Sequence, residues 1–236
     1  MQPDAIEQLE SDLDGLPAHK AIKLVVSKFG DGVVFSTSFG IEDQVVTDLL
    51  AYCAQSVTFF TLDTGRLFPE TYSVWSRTIE KYPIRIHAYT PNADQLNVFI
   101  SENGPNSFYE SVHNRKACCN IRKVVPLKNA LAGNKVWITG IRAEQSQNRD
   151  DMKRIEWDEA NQIIKFHPIL DWNFEQVKAY VLKHQVPYNP LHDNGFVSIG
   201  CAPCTRAIKA GEDFRAGRWW WEDNSKKECG LHTHNK

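Results

Sequence analysis

Apolar positions fall into two alternating textures along the chain. Short runs rich in β-branched and aromatic residues, GVVFST (32–37), VTFFTL (57–62), IRIHA (84–88) and KVWITG (135–140), punctuate longer stretches of helical spacing. Such runs suit strands buried on both faces of a parallel sheet. Residues 4–29 predict one or two amphipathic helices with a break at GLP (15–17). A helix over 42–54 would carry Val45, Val46, Leu49 and Leu50 on one face, and one over 69–82 would hold Pro69 in its first turn. Further helices are expected over 94–102, 117–132 and 173–184, and a strand pair over 153–157 and 162–166. Strands alternating with helices predict an α/β fold with a single doubly wound, mostly parallel sheet. Ligands on such sheets bind beyond the carboxyl ends of the strands. After the loop-rich stretch 186–204 the last residues carry little core material. The expected organisation is one α/β domain over 1–216 and a mobile C-terminal segment over 217–236.

Composition narrows the class. With 236 residues, 42% hydrophobic and 24% charged, the chain can bury an ordinary globular core. Its 27 basic and 29 acidic residues leave a net charge of −2, which argues against a general nucleic-acid or membrane-surface binder. No apolar run reaches the length of a membrane span, and the acidic start MQPDAIEQLESDLDGL lacks the order of a signal peptide. A cytoplasmic protein is expected, where stable disulfides are uncommon. Its six cysteines then become candidates for ligands, catalysts or core fillers. Cys53, among core positions of a predicted helix, is read as packing. A homo-oligomer is left open.

Three polar loops follow three predicted strands. The first, STSFGIEDQVV (36–46), supplies the hydroxyls of Ser36, Thr37 and Ser38, a glycine at Gly40, and a helix N-terminus suited to phosphate or sulfate. Ser and Asp also favour helix starts for capping alone, and the phosphate-loop pattern G-x-x-x-x-G-K-[ST] is absent. The second loop, TLDTGRLFPETY (61–72), brings Asp63, Thr64 and Arg66, which could hold a nucleoside. The third, TGIRAEQSQNR (139–149), brings Arg142 and Arg149. Together they point to an anionic, nucleotide-like ligand, against the alternative of three polar turns.

The cysteines divide unevenly. Cys118 and Cys119 are adjacent at the start of a basic helix, and Cys201 and Cys204 form a C-x-x-C pair. Two close pairs far apart in sequence mark a four-thiolate metal site. Adjacent thiols suit the separate irons of a four-iron cluster better than one tetrahedral zinc, though zinc, a redox Cys201–Cys204 disulfide and plain core cysteines remain alternatives. Arg115, Lys116, Arg122 and Lys123 set positive charge beside the first pair, with Lys123 four residues past Cys119 and so on its face. Cys229 stands apart between Lys226, Lys227 and His232, where nearby cations favour the thiolate. It is a candidate nucleophile, against an incidental tail cysteine. Arg215 and Arg218 sit three apart, so one helical turn could aim both at an anion. Trp219 to Trp221, His167 and His192 are read as structural.

The combination STSFGIEDQVV, TLDTGRLFPETY, RKACCNIRKVVPL (115–127), TGIRAEQSQNR, CAPC (201–204) and ECGLH (228–232) resembles the assimilatory sulfonucleotide reductases, in particular their adenosine phosphosulfate (APS) reductase branch. The motifs span residues 36–232, nearly the whole chain. The resemblance implies an adenine-nucleotide α-hydrolase-like fold related to the PP-loop superfamily, here without the double glycine of the pyrophosphate-binding relatives. It implies reduction of APS to sulfite and AMP through a Cys229 S-sulfonate, with thioredoxin or glutaredoxin as reductant. It implies one 4Fe-4S cluster on Cys118, Cys119, Cys201 and Cys204. It makes Lys123 and His232 catalytic with Cys229. Substrate would be held by Ser36, Ser38, Gly40, Glu42 and Asp43, by Leu62 and Thr64, by Gly140, Arg142 and Arg149, and by Arg215 and Arg218. The 3′-phosphorylated substrate, PAPS, is the rival, and a non-enzymatic metal-site redox sensor a more distant one.

Overall fold

The computed structural model describes residues 3–52, 56–145 and 152–222. Two helices, α1 (Pro3–Leu13) and α2 (Ala18–Phe29), precede the first strand, with the expected break between them. The chain then runs β1 (Val33–Ser36), α3 (Ile41–Ala51), β2 (Thr58–Leu62), α4 (Pro69–Lys81), β3 (Ile86–Tyr89) and α5 (Ala93–Asn103). It continues through α6 (Val112–Cys119), α7 (Val125–Leu131), β4 (Val136–Ile138), β5 (Ile155–Asp158), β6 (Ile163–Phe166) and α8 (Phe174–His184). The six strands form one sheet in the order β3-β2-β1-β4-β6-β5. β1 pairs in parallel with β2 and β4, β4 in parallel with β6, and only the β5–β6 pair is antiparallel among the pairings with a defined register. The expected doubly wound α/β sheet is therefore present.

Two elements depart from the sequence reading. β3 starts two residues late, because the Ile84 amide donates to the Tyr82 carbonyl and is lost to the ladder. The helix expected over 117–132 begins instead at Val112, where the Ser111 side chain accepts from the Asn114 amide. It is interrupted by a π-turn over Asn120–Val124. Cys118 and Cys119 thus close a helix rather than open one.

The chain forms two compact units. The first comprises Met1–Thr61, Glu70–His87 and Gly133–Pro190; the second comprises Leu62–Pro69, Ala88–Ala132 and Leu191–Lys236. In the first, Val33, Phe35, Val136, Ile138, Ile164 and Phe166 of the sheet pack with Val25 of α2, Val45 and Val46 of α3 and Val177 of α8. α3 is buried on nearly every side, its polar residues included. Gln44 donates to Thr78 Oγ1 and the Pro187 carbonyl, and Asp48 accepts from the hydroxyls of Tyr82 and Tyr180 at 2.7 Å each. Among the described residues no helix is long and apolar enough to cross a membrane.

Candidate functional site

In the first unit, the sheet order places the topological switch between the paired strands β1 and β4, whose connections run to opposite sides of the sheet. Ligands bind at such a switch, so the loops after β1 and β4 frame the crevice. The loop after β1 is held by its own groups. Ser38 amide and hydroxyl both donate to Asp43 Oδ2 at 2.6 Å, and the Phe39 amide donates to Thr37 Oγ1 at 3.1 Å. The Gly140 amide also reaches the Asp43 carboxylate, tying the loop after β4 to the start of α3. Burial pushes the Asp43 carboxyl up to about 6, against the Ser38 donors, which lower it. The first amides of α3, beginning at Ile41, have no carbonyl within the helix to bond. Gly40 precedes them with no side chain in the way.

Several expected ligands in this unit face other partners. Ser36 Oγ accepts from Trp137 Nε1 at 2.8 Å. Arg142 is fully buried, and its guanidinium holds Glu42 Oε1 at 2.9 Å and Glu144 Oε2 at 2.6 Å. Glu144 also accepts from the Phe174 amide, so this cluster joins α3, the loop after β4 and the start of α8. Its Arg142 partner holds the Glu144 carboxyl below the usual range. Glu42 and Arg142 therefore fix the walls of the crevice. His167, wholly buried, meets Thr139 Oγ1 through Nδ1 at 2.7 Å, as a structural histidine would. Arg149 lies outside the described residues.

In the second unit the four cysteines line one pocket together with Arg66, Phe108, Arg115, Arg122, Lys123 and Pro203. Cys118 and Cys119 come from the last turn of α6; Cys201 and Cys204 come from a single 3-10 turn in which the Cys204 amide donates to the Cys201 carbonyl at 2.9 Å. The Ala202 amide donates to the Arg66 carbonyl at 2.8 Å, anchoring this turn to the loop after β2. In that loop Thr64 is buried with its hydroxyl 3.3 Å from Cys201 Sγ, and its carbonyl accepts from Arg122 Nη1 at 2.6 Å. Thr64 thus sits behind the cysteine pocket, bracing Cys201 and Arg122 of its lining. Leu62 ends β2 and is half-buried. Arg66 donates to the Pro105 carbonyl and Asn106 Oδ1 and lies over the Phe108 ring.

Desolvation raises the Cys118 thiol pKa, opposed by Arg122. It raises that of Cys204 to about 12, with Cys201 adding to the rise and Lys123 and Arg218 opposing it. As bare thiols these groups resist ionisation; a bound cation would deprotonate them outright. Among the described residues no three Cys, His, Asp or Glu side chains converge to hold a single metal ion.

The residues after the C-x-x-C turn are tied back to it. Arg218 forms an isolated bridge with Thr205, stacks over Trp219 at 4.9 Å and is 9% exposed. Arg215 lies in a turn, not a helix, with its amide donating to Asp213 Oδ1. Arg115, read from sequence only as local charge, is buried in a two-pronged pair with Glu222 and lies over Trp219. Nothing in the sequence linked these positions, 107 residues apart. Residues 217–222 of the expected C-terminal segment thus pack into the second unit, with Trp219 1% exposed. Cys229 and His232 lie outside the described residues, as does Cys53.

Residues 32–207 match the family model described as phosphoadenosine phosphosulfate reductase domain, and the chain belongs to this family of sulfonucleotide reductases. Within it, the chain is similar to proteins named adenosine 5′-phosphosulfate reductase. It is 49% identical to that of Allochromatium vinosum, over 93% of this chain and 87% of the relative. It is 46% identical to that of Agrobacterium fabrum, over 95% and 86%. The phosphoadenylyl-sulfate reductase of Candida auris, solved with phosphate, superposes with a TM-score of 0.76 at 28% identity, covering 88% of this chain and 98% of that one. The FMN adenylyltransferase of Candida glabrata shares the fold alone, at a TM-score of 0.56 and 17% identity over 95% and 86% of the two chains.

Proposed function

We propose that this protein reduces adenosine 5′-phosphosulfate to sulfite and AMP, with electrons from a thioredoxin- or glutaredoxin-type dithiol, in the assimilation of sulfate in the cytoplasm. The observation that carries this reading is the basic pocket lined by four thiols from two distant segments, in a chain of this family. The donor set suits a 4Fe-4S cluster. A cluster takes one thiolate on each iron, so its ligands stand farther apart than those of one ion. Cys118, Cys119, Cys201 and Cys204 would hold it, and its contribution when bound is electrostatic.

The chain's own groups supply the chemistry. The phosphosulfate is received by the opening amides of α3, with Gly40 allowing close approach and Ser38 and Asp43 shaping the loop. Lys123, Arg149, Arg215, Arg218 and His232 offset the charge of two anions brought together. The Cys229 thiolate attacks the sulfate sulfur, the bond from sulfur to the phosphate oxygen breaks, and AMP leaves. A dithiol thiolate then attacks Cys229 Sγ and expels sulfite, leaving a mixed disulfide. The second dithiol sulfur resolves that disulfide and restores the Cys229 thiolate. Two electrons have passed from the dithiol to sulfur. The C-terminal segment carrying Cys229 has to serve both partners, which is the role of a moving lid.

PAPS is the second reading, favoured by the likeness to the Candida auris enzyme. The Cys229→Ser variant is expected to bind APS yet yield neither sulfite nor an S-sulfonated protein by intact mass. Full turnover by that variant would remove the mechanism. Parallel turnover of APS and PAPS with a reduced dithiol protein assigns the substrate.

A further inference from the structure

Phe39 has a backbone φ of +59°, in the left-handed region where a bulky side chain is an outlier. Gln162 and Gln185 share this conformation in the β5–β6 turn and at the end of α8, where chain reversal explains them. Trp219, at +41°, lies in a turn with Arg115 and Arg218 over its ring. Phe39 lies instead in the middle of the loop after β1. Glycine or asparagine would take this conformation more readily, so the aromatic ring has a reason of its own. That ring is 1% exposed and stacks on Trp75 of α4, with centroids 5.4 Å apart and planes at 22°. Trp75 is only half-buried, flanked on its helix by the buried Val74 and Thr78.

We propose that Trp75 is a positioning residue for nucleotide binding, its indole clamping Phe39 so that the loop after β1 keeps its anion-receiving shape. The left-handed turn at Phe39 sends its amide to Thr37 Oγ1, while Ser38 turns to Asp43. The amides of Gly40 and Ile41 are left for an anion. Without the stack, Phe39 relaxes toward negative φ and those amides lose their common direction. The proposal rests on the reading that this loop receives the nucleotide phosphate, and it adds a residue outside the motifs that carry the resemblance.

Calorimetric titration of the full chain with AMP tests it, with thermal unfolding of each variant alongside. Trp75→Phe, which keeps a stacking ring, binds as the wild type does. Trp75→Ala weakens AMP binding roughly tenfold, the scale of one released backbone strain. Adding Phe39→Gly to Trp75→Ala restores most of that loss, because glycine holds positive φ unaided. A purely structural Trp75 predicts the opposite, since the double variant removes two rings and gains nothing. Wild-type affinity in Trp75→Ala, or no recovery in the double variant, overturns the clamp. A wild-type chain that binds no AMP overturns the nucleotide reading of the loop and the role of Trp75 with it.

Discussion

Two glycines expected to touch the same ligand turn out to differ. A Cβ at Gly140 would lie 2.3 Å from Asp43 Oδ1 and 2.9 Å from the Asp43 amide, so this glycine lets β4 close against α3. Gly140→Ala is expected to lower stability by about 1–3 kcal/mol in urea unfolding, the cost of overpacking. At Gly40 the nearest atom to a Cβ is Ser38 Oγ at 3.4 Å, an ordinary contact. Gly40→Ala should therefore unfold like the wild type and lose APS affinity by titration; a normal affinity would mean that no ligand approaches there. Both glycines stood in legible motifs. Their division was hidden because it depends on what lies across the crevice, not along the chain. The same holds for Arg142: its motif marked it, but burial against Glu42 and Glu144 shows which partners its guanidinium meets.

At the level of elements, the π-turn between α6 and α7 is the main feature that helical periodicity could not reveal. Its cause is nonetheless written in the sequence. Pro126 has no amide to offer the Arg122 carbonyl, and its ring crowds that carbonyl, so the backbone widens over Asn120–Val124. The turn carries Arg122 and Lys123 to the cysteine pocket that Cys118 and Cys119 enter from the turn before. Pro126→Ala should let the segment regain α-helical bonding and shift those cations. The expected outcome is a folded protein by circular dichroism that retains less iron than the wild type, for which the proposed cluster predicts about four irons per chain after anaerobic purification. Equal iron in both would separate the turn from the pocket, and a colourless wild type with one zinc would exclude the cluster.

For the molecule as a whole, each compact unit has its own anchor. In the second unit it is the buried Arg115–Glu222 pair, with side chains 1% and 4% exposed. Glu222→Ala takes the carboxylate from a buried guanidinium and is expected to cost roughly 3–5 kcal/mol in denaturant unfolding; a change under about 1 kcal/mol would mean solvent reaches Arg115. In the first unit the anchor is the sheet, whose alternation of strands and helices was legible because buried parallel strands must be apolar runs and covering helices must be amphipathic. The family match over residues 32–207 covers all the motifs read from sequence except ECGLH (228–232). The order of the strands was not legible, because pairing joins segments that no local pattern connects. It pairs β4 with β1 and so sets the loop after β4 across the switch from the loop after β1. The sequence by itself determined the elements, the family and the chemistry available, since periodicity and residue type are local properties. Only the tertiary structure decided which polar groups hold one another and which remain for a ligand, since burial and hydrogen-bond partners exist only once distant segments meet.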